Sequence, residues 1–172
     1  MGLFSRRRRD DDPLAGVDLG LDSRDRVLAA CMDVESGERL AASTWMLTVL
    51  APDGGVRLQR PWHLVDTGSY DNEADVLRVI WVDRQRELEL HVDGHRPFLQ
   101  AFRERVQASV VIADDLDLGG GRTAKVVVRK DLSADTLLDQ VILGRGVRMA
   151  DPGVRERIAA GRLAAREQVG LV

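Results

Sequence analysis

The chain has 172 residues, a net charge of −3 and a single cysteine, Cys31. This length fits one domain with an extension, and a domain of this size buries roughly 70% of its unfolded surface, which is enough for an ordinary apolar core. The near-neutral charge argues against a nucleic-acid-binding protein, because such proteins carry a basic stripe. A lone cysteine cannot form an intrachain disulfide, so we expect an inert, buried thiol.

The N-terminal 22 residues are dominated by charge. The basic block comprises Arg6, Arg7, Arg8 and Arg9. Three aspartates and Pro13 follow it, and charge runs of this kind are usually solvated, so residues 1–22 are predicted to form a disordered tail. The alternative is contact between the arginines and anionic lipid, to which each arginine contributes about 1 kcal/mol. The aspartates downstream offset that attraction.

Nothing in the sequence predicts export or membrane insertion. The N-terminus lacks the apolar stretch of a secretory signal, and no apolar run approaches the roughly 20 residues of a membrane span. We therefore expect a cytoplasmic protein.

Alternating apolar and polar residues predict a meander of short antiparallel strands in the first half of the chain. The clearest alternation occurs in residues 87–92, where Leu88 and Leu90 face one side of the predicted sheet. The glycines after Asp53 predict a tight hairpin turn, because glycine adopts positive φ without steric cost. The predicted strands cover residues 26–32, 40–44, 46–50, 56–60, 62–67, 75–82 and 87–92, with a polar turn at residues 69–72.

An amphipathic helix is predicted at residues 97–111. Apolar side chains recur every four positions in this segment, and Pro97 suits the first helical position. The stripe is expected to lie against the interior of the sheet. The predicted core residues are Trp62, Trp81, Leu88, Leu90, Phe98, Phe102 and Val106.

Residues 23–113 are predicted to form the domain, and residues 114–172 a C-terminal extension packed on it. The acidic residues 114–118 suggest a solvated linker, followed by a turn at the three glycines 119–121. Strands are predicted at residues 124–129 and 137–143, and a helix at residues 152–169. The small residues on one face of that helix predict close packing against this domain or against a second copy.

No constellation of residues predicts catalysis. His91 and His95 have a metal-like spacing, but they fall on a strand and a turn, so the geometry does not suit a metal site. The glycines 119–121 lack the lysine and hydroxyl residue that end a phosphate-binding loop. We expect no catalytic residue, no cofactor and no metal. Trp45 lies at a tight step between two strands, where exposure would mark a contact surface.

The order of elements resembles a known family. The residues that carry the resemblance are Thr44 followed by residues 46–50, the run Arg60-Pro61-Trp62-His63-Leu64-Val65 followed by residues 76–82, and the helix PFLQAFRERVQASV at residues 97–110. They resemble the pleckstrin-homology-like (PH-like) and GRAM-like domains of bacteria, in particular an uncharacterised actinobacterial family. The resemblance covers roughly residues 25–113.

The resemblance implies an α+β fold with a bent antiparallel barrel of about seven strands capped by a helix, and a C-terminal hairpin plus helix. It also implies a non-enzymatic module for protein binding or self-association. Lipid-binding PH domains use a basic loop after the first strand, whereas here residues 33–39 are acidic. Two alternatives remain open: a peripheral membrane adaptor using the arginine tract, and an enzyme with a site assembled from scattered residues.

Overall fold

The computed structural model of the protein describes residues 12–171. This part of the chain has an α+β fold, as predicted, with ten strands in three antiparallel sheets and two helices. The first sheet contains β1 (Val27–Met32), β2 (Arg39–Ser43), β3 (Met46–Leu50) and β4 (Val56–Pro61), and the second contains β5 (Val65–Asp71), β6 (Val76–Trp81) and β7 (Leu88–His91). The third sheet contains β8 (Val110–Gly119), β9 (Arg122–Asp131) and β10 (Thr136–Leu143), and the helices are α1 (Arg96–Ser109) and α2 (Val154–Gln168).

Helix α1 lies against the inner faces of the first two sheets. Phe98 is fully buried and Phe102 is 4% exposed, and both share one apolar cluster with Trp81 and Leu90. The ring of Trp62 meets that of Phe102 edge-on, with centroids 5.6 Å apart. Burial of two phenylalanine side chains explains why this segment is fixed on the sheets, since truncating either one costs about 3–5 kcal/mol.

The first two sheets meet at two corners without a shared ladder. At one corner, the Val34 N–H donates to the His91 carbonyl oxygen at 2.9 Å, and the His91 N–H donates to the Asp33 carboxylate at 2.8 Å. At the other, β4 leads into β5 through a single 3-10 turn at Trp62–Leu64. The first two sheets therefore pack around α1 as separate sheets, and a closed barrel is not confirmed.

Three predicted segments differ from the structure. Residues 62–64 form the 3-10 turn instead of a strand. Strand β5 continues to Asp71, so the predicted turn at residues 69–72 is mostly strand. Residues 114–118 belong to the ten-residue strand β8 instead of a linker. Its inward side chains, among them Ile112, Leu116 and Leu118, alternate with exposed ones, and this period of two outweighs the acidic composition.

The third sheet and α2 form the C-terminal part of the fold. Ile158 and Ala165 of α2 are buried against this sheet. A Cβ atom at Gly161 would lie 2.7 Å from Leu116, so the helix and β8 approach closely there. The small-residue face of α2 thus packs on this chain's own sheet, which comprises three strands instead of the predicted hairpin.

Residues 12–22 also depart from the prediction of a solvated tail. Leu19 is only 8% exposed, and it packs with Leu14 and Val17 on Leu50 at the outer face of the first sheet. The side-chain amide of Gln59 donates to the Leu19 carbonyl oxygen at 3.0 Å. The apolar residues of this segment, rather than its charges, determine its position.

Within residues 12–171, no helix is both long enough and apolar enough to cross a bilayer.

Candidate functional site

A groove of about 370 Å³ lies between β5 and α1. Its floor consists of Leu77 and Phe102, which are 2% and 4% exposed. One wall is the β5 backbone at Gly68 with the ring of Tyr70, and the other wall is α1. The residues that line it are Gly68, Tyr70, Leu77, Leu99, Phe102, Arg103, Val106 and Gln107. This lining is mostly apolar, which suits an apolar side chain more than a polar metabolite.

The missing side chain of Gly68 keeps the groove open. A Cβ atom at this position would lie 2.2 Å from Cε1 and 2.7 Å from Cζ of Phe102. Only glycine therefore allows the Phe102 ring to lie against the β5 backbone. The same contact places the Phe102 ring at the floor of the groove.

Strand β5 is an edge strand, because it pairs only with β6. Thr67, Gly68 and Ser69 are exposed, and no described residue outside β6 makes a backbone hydrogen bond with this stretch. An exposed edge of this kind presents unpaired N–H and C=O groups to an added strand. The guanidinium of Arg103 on the helix wall is exposed, and no described acid forms an ion pair with it.

The residues predicted from the sequence are distributed between this groove and the core. Phe102 and Val106 contribute to the groove. Trp62, Trp81, Leu88, Leu90 and Phe98 lie in the core behind it. Sequence reasoning missed Gly68 and Arg103, and the available signal was an interior strand glycine opposite a helix phenylalanine.

Trp45 lies away from the groove and is half-buried. The guanidinium of Arg24 lies 5.3 Å from its ring centroid, and its backbone N–H donates to the Asp25 carboxylate at 3.1 Å. This residue therefore participates in local packing at the β2–β3 turn. The arginine tract, Arg6 to Arg9, lies outside the described residues.

A buried polar cluster joins the third sheet to the first part of the fold. Arg129 of β9 is 2% exposed, and its guanidinium lies 3.5 Å from the Ser109 hydroxyl and 3.7 Å from the Asp66 carboxylate. Nearby, the Gln140 side-chain amide donates to the His63 carbonyl oxygen at 3.0 Å. Burial lowers the pKa of His63, an effect that Asp131 opposes and Arg129 reinforces.

This cluster lacks the geometry of a nucleophilic site. The Ser109 hydroxyl donates to the Val106 carbonyl oxygen at 2.7 Å, and no hydrogen bond between it and His63 is present among the described residues. The Nδ1 of His63 and the Nε of Arg129 are buried without a partner in this part of the chain. The cluster holds β9 against the C-terminal end of α1 and the start of β5.

The remaining candidate ligands and the thiol are also fixed by local structure. The Nε2 of His91 lies 3.5 Å from Glu35 and its Nδ1 lies 3.9 Å from Asp33, but residues 12–171 contain no group of three side chains arranged to hold a metal ion. Cys31 is 4% exposed, and burial, with a smaller effect from Asp33, raises its pKa to about 12. A thiol in this environment is a poor nucleophile.

Comparison with protein-family models, with curated proteins and with solved structures finds no significant match for this chain.

Proposed function

We propose that this protein is a non-enzymatic binding module of PH-like architecture, and that it takes an extended segment of a partner protein along β5. The observation that carries the proposal is the unpaired edge of β5 beside an apolar groove. An added strand would gain backbone hydrogen bonds from the edge, while the groove would accept one of its side chains.

The PH-like assignment is supported by the order of elements. Four strands in one sheet and three in the next are followed by one helix that packs in the interior between them. The sequence resemblance ends close to the end of that helix. Strands β8–β10 and α2 follow as an addition to this arrangement.

The lining of the groove specifies the chemistry of the segment. Leu77, Phe102 and Val106 favour an aliphatic or aromatic side chain at the position that enters the groove. The exposed guanidinium of Arg103 favours a carboxylate beside that position, because arginine pairs well with planar acids. The expected partner is thus an extended, acidic segment with one apolar anchor.

The experiment is a selection from a displayed library of linear peptides with the full-length protein as bait. Selected peptides should share an apolar anchor next to Asp or Glu, and should shift the amide signals of Gly68, Tyr70 and Val106 in an NMR titration. The proposal fails if no peptide is enriched, or if the enriched peptides shift signals on another face.

Charge reversal at Arg103 makes the test specific. The Arg103→Glu variant should lose the selected acidic peptides and favour basic ones, because the reversed side chain repels a carboxylate. Arg96→Glu is the matched control, since Arg96 is an exposed arginine at the first position of the same helix, two turns from Arg103. Equal loss of binding in both variants would mean that net charge, not the groove, determines binding.

A further inference from the structure

The two walls of the groove between β5 and α1, the β5 groove, converge on one buried arginine of the third sheet. Asp66 lies two residues before Gly68 on the strand wall. Ser109 is the last residue of α1, which forms the other wall. The guanidinium of Arg129 donates to the Asp66 carbonyl oxygen and to the Ser109 hydroxyl oxygen, each at 3.5 Å. One side chain thus contacts both walls at the same end of the groove.

The strand ladders place these groups. The register of β5 against β6 shifts around Asp66, which is an extra residue in the ladder. The extra residue of a bulge is left outside the regular pairing and is aimed differently from its neighbours. In the third sheet, Arg129 pairs with Val110, the residue directly after Ser109. The pairing of β8 with β9 therefore holds the arginine beside the end of α1, where the bulge of β5 can meet it.

Arg129 has little freedom to leave these contacts. Its side chain is 2% exposed, and Ser109 is fully buried. The Asp66 carboxylate lies 3.7 Å from the guanidinium and is the one described acid that pairs with it. A buried cation is costly unless its partners stay in place. Displacing either wall would remove part of this compensation, so the arginine resists a change in the spacing of the walls.

The contact with Ser109 continues into the lining of the groove. The Ser109 hydroxyl donates to the carbonyl oxygen of Val106 at 2.7 Å, and Val106 lines the groove. A serine oxygen can donate one hydrogen bond and accept another, so it can accept the Arg129 N–H at the same time. Arg129 is thus connected to the helix wall without being part of the lining.

The joint between the third sheet and the groove walls is mainly polar. The apolar clusters of the third sheet are completed by α2. Among the described residues after α1, only Leu132 packs with the cluster that contains Phe102. Hydrogen bonds depend on distance and direction, whereas apolar contacts are non-directional. A polar joint therefore fixes the spacing of the walls more narrowly than an apolar one would.

We propose that Arg129 is a positioning residue for the β5 groove, and that through it the third sheet fixes the spacing between β5 and α1. This inference rests on the proposed function, in which the groove takes the apolar anchor of an extended segment. Walls that are already held at their bound spacing lose less conformational freedom when the segment binds. Because Arg129 is buried, it does not touch the bound segment, and it acts on affinity through the walls.

The first test compares the affinities of full-length variants for a peptide selected on the wild-type protein. Arg129→Met should raise the peptide Kd about tenfold, because methionine is long enough to fill the site but bonds to neither wall. Arg122→Met is the matched control. Arg122 lies at the other end of β9, where its guanidinium donates to the Leu118 and Gly119 carbonyl oxygens, and its replacement should leave the peptide Kd unchanged.

The pattern across peptides distinguishes positioning from direct contact. Arg129→Met should weaken an acidic peptide and its Asn or Gln counterpart by the same factor, because Arg103 is the residue that faces the carboxylate. Selective loss of the acidic peptide would mean that Arg129 itself pairs with the ligand, and this would overturn the positioning role.

The second test needs no ligand. The Phe102 ring lies against Gly68 and Trp62, so its flip rate in NMR spectra reports how tightly the walls are held. Arg129→Met should accelerate the flips under conditions in which urea denaturation shows that the variant is fully folded, and Arg122→Met should not. Ser109→Ala removes only the helix contact and should shift the Kd and the flip rate less, in the same direction. This milder variant decides the question if Arg129→Met does not fold.

The outcomes separate this inference from the proposed function. If no peptide binds the wild-type protein, the proposed function fails, and the flip rates alone decide whether Arg129 spaces the walls. If the wild-type protein binds peptide but the Arg129 and Ser109 variants change neither the Kd nor the flip rate, the positioning role is overturned and the proposed function stands. Equal effects of Arg129→Met and Arg122→Met would also overturn it, because they would show a general loosening of the third sheet.

Discussion

The contact between Gly68 and Phe102 makes a strong prediction, because it leaves no space for a methyl group. The Cβ of an alanine at position 68 would lie 2.2 Å from Cε1 of Phe102. The ring has little freedom to retreat, since it is 4% exposed and packs against Trp62 at 5.6 Å between centroids. Overpacking of this kind costs about 1–3 kcal/mol of the free energy of unfolding.

The free energy of unfolding of Gly68→Ala can be measured by urea denaturation and compared with that of Gly55→Ala. Gly55 is exposed and also has no left-handed φ, and the atom nearest to an added Cβ is the Asp53 carboxylate oxygen at 3.3 Å, which accepts a hydrogen bond from the Gly55 N–H. A change within about 0.5 kcal/mol is expected there. The comparison separates the clash from the general effect of replacing glycine.

A double-mutant cycle measures the interaction energy between positions 68 and 102. Phe102→Leu removes the ring atoms that the new methyl group would meet. It should lower the free energy of unfolding by less than the loss of about 3–5 kcal/mol that truncation to alanine causes. In that background Gly68→Ala should be nearly neutral, so the two changes are not additive. Additive costs, or a neutral effect of Gly68→Ala alone, would refute the account of how the groove stays open.

Three further predictions concern the buried polar residues and the thiol. Arg129→Ala should lower the free energy of unfolding by about 3–5 kcal/mol, because it leaves Asp66 without its cation, and a loss below about 1 kcal/mol in urea would contradict this. Burial lowers the pKa of His63 below the ordinary histidine value of 6.5, so the unfolded chain binds the proton first and stability falls as the pH drops through 6.5 towards the folded-state pKa. The His63→Gln variant should lose that part of the pH dependence in thermal unfolding between about pH 7 and 5, and an unchanged profile would exclude the assignment. Because burial raises the pKa of Cys31 to about 12, it should react with Ellman's reagent at pH 8 only after denaturation, and rapid labelling of the folded protein would contradict its burial.

Much of the α+β arrangement could be predicted from the sequence because its elements have strong local periodicity. The helix stripe of Phe98 and Phe102 placed α1 within two residues at each end. Strand β3 was predicted with its observed limits. In α1 the recurring side chains Phe98 and Phe102 are those that the core buries, and in β3 residues 47–50 are buried on both faces of the sheet.

The groove and the third sheet were harder to predict because they depend on contacts between distant segments. Gly68 owes its importance to a ring on α1, and nothing near it in sequence indicates that contact. The three aspartates within residues 114–118 predict solvent exposure and a linker, whereas pairing with β9 determines the conformation of this segment. The polar cluster around Arg129 likewise forms only when β9 reaches the end of α1.

The direct succession of α1 and β8 has a mechanical consequence. The helix ends at Ser109 and the strand begins at Val110, with no connecting residue between them. A ligand that tilts α1 would therefore also turn β8, and with it the third sheet to which β8 belongs. A flexible insertion between Ser109 and Val110 would uncouple β8 from a movement of α1 and would leave both elements intact.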